Sequence, residues 1–106
     1  MEVTPLRSSE LTFLFVLTAG PRTAAVDTVV ELSASARALG HTVDVFLAGD
    51  GVVHAAVLGQ LGQVTLCEAD LRWRQSQSVE LPGVRRGSLR DLAKSCRAAD
   101  RVLVFS

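Results

Sequence analysis

The chain contains no tyrosine, one tryptophan and four phenylalanines in 106 residues. Proteins that grip single-stranded nucleic acid stack bases on aromatic rings, and so few rings leave no such platform evident. Neither sign of charge is in excess, since eleven Lys and Arg meet eleven Asp and Glu. That balance argues against duplex DNA or an anionic membrane surface as partner. Cysteine is scarce as well. The two present, Cys67 and Cys96, cannot build a disulfide framework. With no secretory signal, the expectation is reduced thiols in a cytoplasmic protein. The longest apolar run, Leu11 to Leu17, is interrupted by Thr12 and is far too short to cross a bilayer. Metal-ligand spacings, a Ser-His-Asp arrangement and a Walker-type phosphate loop are all missing. An Asp-Gly turn follows the second apolar segment, but no Gly-x-Gly-x-x-Gly follows the first, which speaks against dinucleotide binding.

What is present suits one domain with a sizeable core, because 48% of the residues are apolar. Residues 1–10 are polar, contain a proline, and read as a flexible N-terminal tail. Leu11 to Leu17 then reads as a strand buried on both faces. From Thr23 to Leu39 the period becomes helical, with Ala25, Val29, Leu32, Ala36 and Leu39 on one face and Gly40 ending the helix. His41 to Ala48 is a second strand, stopped by Gly49-Asp50-Gly51, and Val52 to Leu61 reads as a short apolar helix. Gln63 to Cys67 is a third strand, and Glu68 to Gln75 a third helix. A weak strand is expected around Gly83-Val84-Arg85. Ser88 and Asp91 form a capping box that opens a helix from Leu89 to Ala98, and Val102 to Phe105 is the last strand. Alternating strands and helices imply right-handed crossovers. The fold class is therefore three-layer α/β/α, a single domain over 11–106 with a mostly parallel sheet of about five strands.

Cys67 stands out chemically. It closes a strand where a helix begins, so free backbone N–H groups and a helix dipole would favour its reactive thiolate. In open α/β sheets, ligands gather outside the carboxyl ends of the strands. The other turns at that end carry Gly20-Pro21 and Gly49-Asp50-Gly51, whose backbone N–H groups could approach an anion or a persulfide. Asp50 could equally cap the following helix. His54 is a candidate ion-pair partner for the thiol, or else a satisfied core histidine. Glu68 and Asp70 oppose thiolate formation by like charge, and Arg72 and Arg74 could offset them. Cys96 shares a helical stripe with Leu89, Leu92, Ala93 and Ala99, and is expected in the core. His41, just past a helix-ending glycine, is expected to cap or face solvent. Trp73, between two arginines, suits packing or partner docking, and Arg85-Arg86 with Arg90 reads as a solvated basic face.

Four segments carry a resemblance to the DsrE/DsrF-like sulfurtransferase family, the small subunits of sulfur-relay complexes. They are Ala19-Gly20-Pro21 before a helix ending Ala38-Leu39-Gly40-His41, Val45 to Val52 running into the aspartate-glycine-valine turn, Cys67 before an Arg-bearing helix, and Ala99 to Phe105. Together they span nearly the whole of residues 11–106. The resemblance implies that Cys67 accepts sulfur as a persulfide and passes it to a partner, with the Gly20-Pro21 and Gly49-Asp50-Gly51 turns shaping its pocket. It further implies a cytoplasmic homo-oligomer, trimer or hexamer, or a mixed complex of related subunits, exchanging sulfur with donor and acceptor proteins. No metal, organic cofactor, nucleic acid or membrane is implied. The alternative is a non-catalytic oligomeric module that binds a small ligand or protein at the same strand-end cleft. A further alternative is redox sensing through Cys67.

Overall fold

Uninterrupted apolar segments make the central strands, because a parallel strand covered on both faces needs no polar side. The computed structural model describes residues 10–20, 23–73 and 82–106. Its strands are β1 (Thr12–Leu17), β2 (Thr42–Leu47), β3 (Val64–Cys67), β4 (Val84–Gly87) and β5 (Arg101–Phe105). The helices are α1 (Ala25–Ala38), α2 (Ala55–Leu58), α3 (Glu68–Trp73) and α4 (Leu89–Ala98), and tight 3-10 turns flank α2 at Gly49–His54 and Gly59–Leu61. All four strand pairings are parallel, and the order across the sheet is β4-β3-β2-β1-β5. The expected α/β class is the one observed, and the weak fourth segment is a full strand that pairs with β3 from Val64↔Val84 to Cys67↔Gly87. Among the described residues, no helix is long and apolar enough to cross a membrane.

Strand alternation sorts the core into two layers. Phe15, Leu17, Val43, Val45, Leu47, Val64 and Leu66 face α1 and α2, together with Leu71 of α3. Leu14, Val16, Phe46 and Cys67 face the opposite way, where Leu92 at the start of α4 and Ala99 just beyond it pack on them. The first four strands thus step sideways in sequence, and only the connection through α4 returns across the other face to reach β5. Hydrogen bonds close both ends of that return, one of them to the Asp100 carboxylate. Asp100 and Thr12 exchange hydrogen bonds of 2.8 Å at one end. Thr18 and Ala19 donate to the Phe105 carbonyl at the other.

The helical stripes differ in phase from the expected ones. In α1 the inward positions are Val29 and Ser33, flanked by Ala25, Val26, Val30 and Ala36. Leu32 is exposed and Leu39, at the C-cap, is 76% exposed. Including Leu39 in the stripe ignored that the chain leaves the sheet there to make its left-handed turn at Gly40, φ 91°. Ser33 takes the inward place instead, and its Oγ is buried with no hydrogen-bond partner. Asp91, Leu92 and Ser95 of α4 and the C-cap Ala99 are half-buried, whereas Leu89, Ala93 and Cys96 lie on an exposed flank. The expectation of a buried Cys96 is therefore corrected. Of the expected stripe, Leu92 and Ala99 do pack on the sheet, but Leu89, Ala93 and Cys96 fall on its flank.

Candidate functional site

At the carboxyl end of β3, alternation points Cys67 toward α4, and the thiol side chain settles among Leu14, Val16 and Phe46 under Leu92. Cys67 is only 3% exposed. It still forms part of the wall of a cleft of about 440 Å³, which opens between the starts of α3 and α4 and extends over Glu68, Arg72, Arg86, Gly87 and Asp91. Pairing of Cys67 with Gly87 builds this cleft, because it brings the Ser88–Asp91 capping box beside the thiol. Gly87 is required there. A Cβ would lie 2.7 Å from Thr65 Cγ2 and 3.0 Å from Asp91 Oδ2.

The charged groups of the cleft have distinct attachments. Asp91 accepts from the Ser88 backbone N–H at 2.7 Å and from its hydroxyl at 3.1 Å. These two bonds, the backbone one foremost, hold its carboxyl below the usual carboxylate range. Asp70 accepts from the Gly49 backbone N–H at 2.7 Å, tying α3 to the turn after β2. That turn thus receives an aspartate from α3 at its first N–H. Glu68 instead meets two guanidiniums, Arg72 at 3.3 Å and Arg86 at 3.7 Å. Arg86 stays exposed, as expected for that basic face, and reaches Glu68 from it.

The other expected site residues lie elsewhere. Gly20 and Asp50 are juxtaposed, since a Cβ on Gly20 would sit 3.6 Å from that of Asp50. Gly51 lies directly over the end of β1, where a Cβ would reach 2.7 Å from the Leu17 carbonyl carbon. His54 is buried, and its Nε2 is 3.2 Å from both the Ala19 and Gly20 carbonyl oxygens. Carbonyls only accept, so Nε2 carries the proton and donates. That role is structural: the imidazole pins the turn after β1 to the turn after β2. Gly20, Gly49, Asp50, Gly51 and His54 thus cluster over β1 and β2, and none of them lines the Cys67 cleft. Pro21 and Arg74 lie outside the described residues, as do residues 1–9 of the expected tail. His41 caps α1 through its backbone, whose N–H donates to the Ala36 carbonyl at 3.0 Å, and its ring is half-buried. Its Nδ1 accepts from the Leu11 N–H at 3.0 Å, and its ring meets Phe13 edge-on. Trp73 is 85% exposed. Among the described residues no three His, Cys, Asp or Glu side chains converge as a metal site would require.

Sequence reasoning singled out Cys67 but missed Arg86, Gly87 and Asp91 as its neighbours. The signal was present in the capping box, which was read only as a helix start. Placing it beside Cys67 requires β4 to run on to Gly87, and an Arg-Arg-Gly segment carries no apolar pattern to show that.

No family model and no curated protein sequence matches the chain. A search of solved structures finds the E. coli YchN protein at a TM-score of 0.74 and 21% identity, covering 91% of this chain and 99% of that one. At that identity the likeness establishes the fold alone. The five-stranded parallel architecture described above is the one this chain has in common with YchN, a protein of DsrE-like fold.

Proposed function

We propose that the protein is a sulfur carrier that holds a persulfide on Cys67 and works in the cytoplasm as an oligomer, of itself or of related subunits. The observation carrying this reading is the position of Cys67 in the wall of a cleft that also holds Arg72 and Arg86. A persulfide ends in an anionic sulfur one bond farther out than the thiol. A terminal sulfur reaching from Cys67 into the cleft would meet guanidiniums that can balance its charge. Loading is an exchange. The Cys67 thiolate attacks the outer sulfur of a donor persulfide, a new S–S bond forms, the donor's S–S bond breaks, and the donor leaves as thiolate. No external oxidant or reductant is needed.

Incubation with glutathione persulfide, followed by intact-mass measurement, tests the reading. A gain of one sulfur that survives Cys96→Ser and vanishes in Cys67→Ser is expected. An unloaded Cys67 overturns it. The alternative, a non-catalytic module binding a small ligand or a partner at this cleft, is favoured by the apolar packing that leaves Cys67 3% exposed. Buried thiols in such surroundings are commonly inert.

A further inference from the structure

Among the described residues three carboxylates border the Cys67 cleft, and two are committed to backbone structure: Asp70 to the Gly49 N–H and Asp91 to the Ser88 N–H. Glu68 differs, because among the described residues its contacts are with the guanidiniums of Arg72 and Arg86. Its two oxygens divide between them, Oε1 toward Arg72 and Oε2 toward Arg86. Both separations exceed the roughly 2.7–2.9 Å of a strong charge-assisted hydrogen bond. The side chains are partly exposed as well, at 77%, 41% and 33% for Arg72, Glu68 and Arg86. Ion pairs of that kind are weak and exchange readily with other anions.

We infer that Arg72 and Arg86 form an anion subsite at the mouth of the Cys67 cleft, that Glu68 occupies it in the empty protein, and that its ligand is a small sulfur-bearing anion of the thiosulfate type. Glu68 is the residue immediately after Cys67, so an anion replacing its carboxylate is delivered next to the thiol. Two guanidiniums from different elements, one on α3 and one on β4, can each present a planar fork to a tetrahedral oxyanion. A single carboxylate shared between them at 3.3 and 3.7 Å leaves part of that donor capacity unused. Glu68 then acts as a built-in competitor: weakly bound anions leave the pair closed, and a divalent one opens it. The inference rests on the cleft being the functional site, and its test does not depend on sulfur transfer.

The experiment compares an anionic with a neutral alkylating reagent on Cys67 in a Cys96→Ser background. The ratio of iodoacetate to iodoacetamide rates reads local positive charge and cancels changes in thiol accessibility or nucleophilicity. Glu68→Gln is expected to raise the ratio roughly three- to tenfold, the effect of uncovering about one charge near the surface. Adding Arg72→Gln and Arg86→Gln is expected to return it to the starting value or below. A second readout is thermal stabilisation by thiosulfate against sodium chloride at equal ionic strength. Glu68→Gln should respond at several-fold lower thiosulfate than the parent, and the variant that also lacks both arginines should respond no more than to chloride. An unchanged reagent ratio in Glu68→Gln, or a rise that persists without the two arginines, overturns the inference. Where neither reagent reaches Cys67, the thiosulfate response decides, and its absence also overturns it. A missing persulfide adduct alongside intact anion selectivity would instead sink the sulfur-carrier reading alone.

Discussion

Replacing Gly51 by alanine puts the packing of the β1 and β2 turns to a direct test. The added Cβ would lie 2.7 Å from the Leu17 carbonyl carbon and 3.3 Å from Thr18 Cα, where ordinary contact begins near 3.4 Å. Both obstacles are backbone, so no side chain can rotate away. The Leu17 carbonyl oxygen is nearer still, so the turn must retreat from the end of β1 by more than an ångström. The same Leu17 carbonyl accepts from the Ala48 N–H at 3.1 Å, and His54 reaches the Ala19 and Gly20 carbonyls at 3.2 Å. Retreat lengthens these bonds and loosens buried Val52, Ala55 and Leu58. Overpacking of this kind costs about 1–3 kcal/mol, and one weakened buried hydrogen bond adds about 1 kcal/mol, giving roughly 3 kcal/mol in all. For a domain of this length that corresponds to a fall in melting temperature of about 12–15 °C. Thermal unfolding followed by circular dichroism measures it, with Gly40→Ala as comparison. Gly40 has a positive φ of 91° in the left-handed turn that ends α1 and nothing within 4 Å of the added carbon, so its penalty is limited to backbone strain of about 1–2 kcal/mol. A melting temperature for Gly51→Ala no lower than that of Gly40→Ala refutes the reasoning.

Ser33→Ala removes a buried hydroxyl with no partner, so urea unfolding should show stability unchanged or raised by up to about 1 kcal/mol. Asp91 has its folded carboxyl held below 3.8 by Ser88, so its contribution is fully present above that unfolded value and fades as pH falls through the lower folded one. Asp91→Asn should therefore flatten the acid limb of a stability–pH profile below about pH 4, while leaving its shape at neutral pH alone. Maleimide labelling of the native protein should modify exposed Cys96 within minutes and buried Cys67 at least about tenfold more slowly, as tryptic mapping will show. Equal rates would mean that α4 opens readily from the sheet.

Much of the fold was legible because its determinants are local. The run Leu11 to Leu17, the Gly40 stop and the Ser88–Asp91 box each mark an element without reference to the rest of the chain. The phase of a helix on its sheet is not local. In α4, Leu89, Ala93 and Cys96 form as regular a stripe as Leu92, Ser95 and Ala99, and only docking onto Leu14 and Phe46 selects the second. The same limit applied to the site. Cys67 and the turns after β1 and β2 could be placed at one end of a sheet, but their side chains divide between different places. The thiol goes under α4, and His54 goes onto the Ala19 and Gly20 carbonyls. Glu68 was read as an obstacle to reactivity; its pairing with Arg86 depends on β4, whose residues give almost no strand signal.

The order β4-β3-β2-β1-β5 has a consequence for synthesis on the ribosome. β2, β3 and β4 can each add to the sheet soon after emerging, because every one of them pairs with the strand made before it. β1 is different. Its second neighbour arrives last, and the bond joining Thr12 to Asp100 spans 88 positions. Until then the most apolar strand of the sheet shows an open edge to solvent or to a chaperone. Nascent chains stalled before residue 101 should accordingly bind a β-strand-selective holdase through residues 12–17, and lose that binding once β5 clears the exit tunnel.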